Sequence, residues 1–459
     1  MSNILLQICK KFIGEVMGVF GDGQVKTIEE IETGLKAKTN EFVLEMMKKY
    51  LECIDQSIVE DKSNRRKKGL VIERKSDKRE IYTQFGPLKF ERTYFYDKRN
   101  QEYTYLLDKV AGLESYERLS GNVARGLVEH AAESSYGESS RHVSGGEISR
   151  QTVMKKLRLL NGIKTTVPEE RRRVRVLHVE ADEDHVAMQD GTNAIVPLIS
   201  IHEGIEKRGR RGRCINIHHI SSYGKNTEEL WLEAVKWIDD AYELDEIEQI
   251  YLHGDGAPWI KEGLNWLPRA KFVLDKYHLN RAIIEATGRQ KECRGDIYSA
   301  LWDCDKKRFR EITRQLYENA VSDNERKRIH DFRVYIHNHW EAITIYSKEA
   351  CSGSCTEGHV SHVLSSRLSS RPMGWSRPGL KAMAELRAFY SNGGRIELKH
   401  LRKQKSLSYK LNKKQLAKVT KLFQKNELES VKNMPVISHG KVFYMQKYLK
   451  SIQNGGYAF

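Results

Sequence analysis

Residues 174–182 read VRVLHVEAD, an apolar, β-branched run that ends on a carboxylate. The segments HVAMQD (185–190), AIVPLISIH (194–202) and CINIHHISS (214–222) continue the theme, the first three runs being joined by short polar turns. Such runs predict neighbouring strands. A helix is predicted at about 227–242, because Leu230, Ala234, Trp237 and Ile238 fall on one face. Strand IEQIYLHGD (247–255), a short helix around 258–266 and strand KFVLDKYHL (271–279) come next.

Three adjacent strands, a helix, a strand, a helix and a strand make an α/β domain in the order of a ribonuclease-H-like sheet. Carboxylates sit where such a sheet would gather them. Asp182 closes the first strand, with Asp184 beside it as a rival. Asp255 ends the run 247–253 and is flanked by Gly254 and Gly256, which would let backbone approach a phosphate or metal. Glu357 lies in CTEGHVSHVL (355–364) on a predicted helix Thr356–Leu368, where Val360, Val363, Leu364 and Leu368 form the apolar stripe and Glu357 is expected to point with them toward the sheet. Glu349, Glu385 and Glu397 are its alternatives. Three converging carboxylates can hold two divalent ions, the arrangement that in-line attack on a phosphodiester requires. Asp275 and His278, three residues apart after the last strand, could be a metal pair, an orienting pair or a satisfied strand end.

The rest of the chain is read around this core. Residues 26–60 are helical, and from 69 to about 108 the period becomes two, with a hairpin turn expected at Gly86-Pro87. Helix SSYGESSRHV (134–143), then Ser144-Gly145-Gly146, then Ser149 as N-cap with Ile148 and Val153 as hydrophobic staple, reads as a helix-turn-helix at about 136–161. Arg150, Gln151, Lys155 and Arg158 would face outward to DNA. An ordinary helical hairpin has the same pattern. The domains expected are 1–110 (helical and β-hairpin), 111–165 (helix-turn-helix), 170–280 with 350–395 (catalytic core), 280–350 (all-helical, with Trp302 and Trp340 as anchors) and 396–459 (basic, helical).

Lys+Arg at 78 against Asp+Glu at 62 gives net charge +16. The excess is clustered in Lys62–Lys68, Arg171–Arg175, Lys207–Arg213 and Lys399–Lys418, which favours a polyanionic partner, double-stranded DNA, over a membrane surface. Seven cysteines at irregular spacing suit a reducing compartment better than a disulfide framework. Cys351 and Cys355 form a CxxxC without a second pair at finger spacing, so structural zinc is not expected. The opening twenty residues, split by Lys10 and Lys11, read as an amphipathic helix and neither signal peptide nor membrane span. A cytoplasmic, nucleoid-associated location is expected.

The series EADEDHV, HGDGAPWI, DKYHL and C-x-EGHVSHVLSSRLSSRPMGW resembles the bacterial insertion-sequence transposases of the ISLre group, relatives of the Mutator-like DDE transposases. The likeness covers nearly the whole chain. It implies a ribonuclease-H-like core interrupted by the helical segment 280–350. By motif, Asp182, Asp255 and Glu357 match the catalytic and metal-binding triad, and Asp275 with His278 matches a D-x-x-H signature. Asp184 is a departure that leaves the first position open. The implied reaction uses two Mg²⁺ ions (Mn²⁺ substituting) about 4 Å apart to nick the element's terminal inverted repeats and join the 3′-hydroxyl to target DNA. Arg367 and Arg371 would contact flanking backbone, and the protein is expected to act as a homo-oligomer on DNA. The rival readings are a structure-specific nuclease of the same fold and a DNA-binding regulator with a decayed core.

Overall fold

A computed structural model describes residues 2–21, 23–160, 163, 167–208, 211–349, 351, 353–371, 373–401 and 409–422. Most of the expected basic region 396–459, Asn161 at the end of the helical hairpin, and Gly209 and Arg210 of the cluster Lys207–Arg213 lie outside the described residues. The fold is mixed α/β, in two compact units: Met1–Gly126 with Lys403–Phe459, and Leu127–Arg402.

In the first unit the long helix Ile28–Glu60 starts at a capping box of Thr27 and Glu30, which satisfies orphan amides at its N-terminus. It packs on an antiparallel sheet of β1 (Leu70–Thr83), β2 (Gly86–Asp97) and β3 (Glu102–Tyr105), with Ile54, Ile58, Ile81, Phe90 and Phe95 in the shared core. Thr83 pairs with Gly86, so the hairpin turns on Gln84 and Phe85, ahead of the expected Gly86-Pro87. The φ of 115° at Gly86 shows why glycine stands there. The basic run Lys62–Lys68 is itself a short helix, stopped by Gly69 at φ 72°. The helix Lys413–Leu422 belongs to this unit, and ahead of it Asn412 Nδ2 donates to Asp61 Oδ2 at 2.7 Å.

The second unit is built on a five-stranded sheet. VRVLHVEAD and HVAMQD, expected as two strands, form one: β4 (Val176–Ala187), whose polar centre stays in the ladder because the strand that follows pairs with it throughout. After β5 (Asn193–His202), the hairpin β6 (Ile205–Arg208) and β7 (Arg211–Cys214) stands apart before β8 (His218–Ser221), so CINIHHISS is also divided. With β9 (Gln249–Gly254) and β10 (Ala270–Leu274) the order is β10-β9-β4-β5-β8. β4, β5 and β8 are antiparallel neighbours, while β9 and β10 run parallel to β4.

One face of β4 presents Leu177, Val179 and Ala181 to a core completed by Leu230, Trp231, Ala234 and Ile238 of the helix Thr227–Ala241. The other face presents His178, Glu180, Asp182 and Asp184, all buried. Between β10 and residue 349 run the helices Lys276–Thr287, Cys293–Trp302, Lys306–Glu318, Asp323–Asn338 and Trp340–Lys348. They share a core with Leu274, in which Phe309, Phe332 and Trp340 are buried. Trp302, expected to anchor them, is 58% exposed, with Lys276 Nζ over its ring.

The expected helical hairpin is present as Tyr136–Ser144 and Arg150–Arg158. Gly145 caps the first helix at φ 62°, and Ser149 Oγ accepts from Thr152 N. Val153 and Leu157 are buried as read, and Arg150, Lys155 and Arg158 are exposed, with Gln151 also outward.

Candidate active site

The acidic site grows from the pairing of β4 with β9. The parallel register sets Glu180 beside His253, which brings Asp182 level with Asp255 just past the end of β9. Asp182 is therefore mid-strand and does not close it; β4 continues five residues beyond, to Ala187. Its Oδ1 accepts from Glu183 N at 2.8 Å, while Oδ2 lies 3.8 Å from His278 Nε2. One ligand atom each from Asp182, His278 and Glu357 lie within 4.8 Å of one another.

His278 comes from the first turn of the helix Lys276–Thr287, whose N-cap is Asp275. Asp275 Oδ1 accepts from Tyr277 N at 2.9 Å and from Ser354 Oγ at 3.0 Å. Asp275 thus holds the helix that delivers His278, and also the segment leading to Glu357. Its Oδ2 and His278 Nε2 are buried with no hydrogen-bond partner among the described residues. Asp182 raises the pKa of His278 against the opposing effect of burial, and Asp275 and Asp255 reinforce it. A buried nitrogen without a hydrogen bond, beside carboxylates, marks a candidate ligand-binding group.

Glu357 reaches this cluster from an unexpected direction. It is exposed, while Thr356, Val360, Val363, Leu364 and Leu368 form the buried face. The expected helix is interrupted: Thr356–Val360 is α, Ser361–Ser365 is a π-turn and Ser366–Leu368 is α again. A π-turn re-aims the residues beyond it, and Ser365 Oγ and Ser369 Oγ both donate to Asp184 Oδ1, at 3.0 and 2.8 Å. Burial raises the Asp184 pKa despite these bonds. Asp184 clasps this segment to β4, and Asp182 is the one that meets His278 and Glu357. The alternatives to Glu357 are occupied elsewhere: Glu349 with Lys271 and Tyr251, Glu385 with Ser222, Glu397 with Lys399.

Asp255 Oδ1 accepts from Ala257 N at 2.8 Å, and its carbonyl accepts from Tyr335 OH at 3.2 Å. The flanking glycines have packing reasons. A Cβ on Gly254 would come 2.8 Å from Ile260, and one on Gly256, at φ +95°, would come 2.4 Å from His339 Nε2. Glu183, on the other face of β4, is held by Trp259 Nε1, and burial, with Asp255 and Asp182 nearby, raises its pKa.

Of the two arginines expected to touch DNA, Arg371 is exposed, whereas Arg367 is 5% exposed and built into the fold. Its Nε donates to Ala131 O at 3.0 Å and its guanidinium lies over the rings of Tyr136 and Trp375. An arginine next to a serine-rich run looks exposed in sequence, but partners from distant segments enclose it.

A polar cluster behind the acidic site escapes sequence reading. Glu180, 1% exposed, accepts from His202 Nε2 (3.0 Å), His359 Nδ1 (2.7 Å) and Cys355 N (2.7 Å). His178 and His253 bond each other at 3.0 Å. The available signal is the period-two series His178, Glu180, Asp182, Asp184 inside an otherwise apolar strand.

A family model described as "Uncharacterised protein family (UPF0236)" matches residues 24–405. A UPF0236 protein of Caldanaerobacter subterraneus subsp. tengcongensis is 38% identical over 459 residues, covering 98% of both chains. Another from the same organism, also 38% identical over 459 residues and 98% of both chains, has a name that joins eleven designations. A UPF0236 protein of Streptococcus gallolyticus is 26% identical over 388 residues, 80% of this chain and 84% of its own.

Proposed function

The chain belongs to the UPF0236 family, and we propose that it is a DNA transposase: a metal-dependent polynucleotidyl transferase that cuts the ends of an insertion sequence and joins the freed 3′-hydroxyl to target DNA. The observation that carries this reading is the convergence of Asp182, Glu357 and His278 within 4.8 Å, from three separate elements, in a chain of net charge +16. The sheet order β10-β9-β4-β5-β8, antiparallel on one side of β4 and parallel on the other, supports a ribonuclease-H-like core with the helices 276–348 as its insertion.

Asp182, Asp255 and Glu357 would hold Mg²⁺, with Mn²⁺ as a substitute, since carboxylate oxygens are the ligands such hard ions take. When bound, the ions supply charge stabilisation and Lewis-acid polarisation at the phosphodiester. The chain's own residues position. His278, with its pKa raised by Asp182 and its Nε2 not hydrogen-bonded among the described residues, can donate to a phosphate oxygen. Asp275 fixes the turn that presents His278, and Asp184 holds the turn after Glu357. Water and then the 3′-hydroxyl act as nucleophiles, with no covalent enzyme intermediate.

Arg150, Gln151, Lys155 and Arg158 on the second helix of the hairpin are the proposed contacts to the element's ends, with Arg371 on flanking backbone. Arg158 also donates to Ser376 Oγ at 2.6 Å, which orients it. The eleven joined designations of one relative are what a sequence repeated through a genome would generate, and repetition fits a mobile element better than a regulator. Among the described residues no helix is long and apolar enough to cross a membrane. The decisive test is Asp255→Asn: it should abolish Mg²⁺- or Mn²⁺-dependent cleavage and strand transfer on terminal-repeat DNA while DNA binding persists. Wild-type cleavage by this variant would overturn the assignment.

A further inference from the structure

The polar face of β4 carries a second constellation one pleat behind the acidic cleft. Glu180 precedes Asp182 by two residues, which places their Cα atoms about 7 Å apart on the same side of the sheet. Around Glu180 gather His202 from β5, Cys214 from the end of β7, and Cys355 and His359 from the segment that carries Glu357. We propose that Cys214, Cys355 and His359, closed by the Glu180–His202 pair, form a site for one thiophilic divalent cation, zinc by its chemistry, distinct from the acidic cleft.

Three observations converge on this. Ligand atoms of Glu180, His202 and Cys214 lie within 4.8 Å of one another. Cys214 Sγ lies 3.7 Å from His359 Nε2; with Zn–S about 2.3 Å and Zn–N about 2.05 Å, two corners of a tetrahedral site are about 3.6 Å apart. Cys355 stands beside the same carboxylate, its backbone N donating to Glu180 Oε1 at 2.7 Å, and its thiol interacts with that of Cys214. The support behind the ligands is also in place: His359 Nδ1 donates to Glu180 Oε2 at 2.7 Å, which leaves the Nε2 lone pair aimed at Cys214. A carboxylate behind an imidazole in this way is the usual support of a metal-ligating histidine.

A satisfied hydrogen-bond network is the competing account, and it does cover Glu180, which has three donors. It gives no reason for thiols from two distant segments to gather beside one carboxylate–imidazole pair. Thiolate and imidazole select zinc over magnesium, and the two sites of this chain would sort metals by softness. Position supplies a use, since Cys355 and His359 stand two residues either side of Glu357 and a cation bound to both would hold that segment on the sheet.

The test is metal content and cobalt absorption of the full chain. Purified under reducing conditions, it should carry stoichiometric zinc by plasma mass spectrometry. After chelation, Co²⁺ should restore intense tetrahedral d–d bands and a thiolate-to-cobalt charge-transfer band. Cys214→Ser and Cys355→Ser should each lose the charge-transfer band or halve its intensity; Cys351→Ser should keep it unchanged. Absence of zinc together with no charge-transfer band in the wild-type protein would overturn the proposal, as would a full-strength band in both Cys214→Ser and Cys355→Ser, or a Cys214–Cys355 disulfide in the reduced preparation. These readouts do not depend on DNA cleavage, so the proposal can fail while the transferase reading stands, and the reverse.

Discussion

Asp182 and Asp184 lie two residues apart on one face of one strand, yet replacing them should give opposite phenotypes. Asp184 is 7% exposed and accepts two serine hydroxyls, from Ser365 and Ser369. Hydrogen bonds to a charged acceptor contribute about 1.5–3 kcal/mol each. Burial of the carboxylate, which raises its pKa, offsets part of that sum. Asp184→Ala should therefore destabilise the protein by about 2–3 kcal/mol, and Asp184→Asn, which keeps the shape and one acceptor, by about 1 kcal/mol. The raised pKa also sets a pH trend. The folded state holds that proton more tightly than the unfolded one, so this carboxylate's contribution to stability falls as pH rises from the usual carboxylate range through the raised value, and Asp184→Asn gains on wild type over that window.

Asp182 has one local hydrogen bond, from Glu183 N, and stands 3.8 Å from His278 Nε2, a weaker set than the two serine bonds of Asp184, so Asp182→Ala should cost no more than about 1 kcal/mol while cleavage is lost. Urea midpoints from tryptophan fluorescence, together with Mn²⁺-dependent cleavage under conditions where each variant is folded, read out both quantities. Full stability with no cleavage in Asp184→Ala, paired with normal cleavage in Asp182→Ala, would exchange the roles of the two carboxylates.

Burial lowers the pKa of His178 to about 4 and of His218, His219 and His253 to about 3, so the unfolded chain binds more protons from the usual histidine range downward. Stability should accordingly be full above about pH 6.5 and fall as pH drops, by up to about 1.4 kcal/mol per pH unit for each of these groups; urea midpoints that stay constant down to about pH 4.5 would refute this. Gly256→Ala must displace His339 and adopt a left-handed φ, which should cost about 2–4 kcal/mol and be visible as a lowered thermal midpoint. Arg367→Ala should destabilise by about 2–4 kcal/mol through its buried bonds, whereas Arg371→Ala should leave the midpoint unchanged and weaken DNA binding with a salt slope smaller by about 1.

The sequence exposes what depends on local pattern. The apolar strands, the cap at Ser149, the Gly145 stop and the helical segment after β10 all follow from spacing and side-chain chemistry. What it hides depends on partners. Asp182 looks like a strand end because four acidic or polar residues follow Ala181, yet β5 pairs with all of them and carries the strand on to Ala187. Counting at 3.6 residues per turn puts Glu357 on the apolar stripe, and the π-turn at Ser361–Ser365 removes the basis for that count. Arg367 looks free to meet DNA because the aromatic ring of Tyr136 that helps enclose it lies far away in sequence. The zinc-type cluster is invisible for the same reason: CxxxC draws attention to Cys351, while the thiol that approaches His359 is Cys214, far away in sequence.

The alternation along β4 restricts how this protein can vary. Leu177, Val179 and Ala181 belong to the apolar core, and His178, Glu180 and Asp182 to the polar face. Exchange of one side chain for another touches a single face. Loss or gain of one residue within 177–183 would rotate every later side chain to the opposite side, driving Asp182 beneath the helix Thr227–Ala241 and lifting aliphatic groups into the cleft. Length should therefore be fixed there across a deletion library, at a strictness that point substitutions do not reach, while the hairpin at 205–214, outside the five-stranded ladder, absorbs insertions.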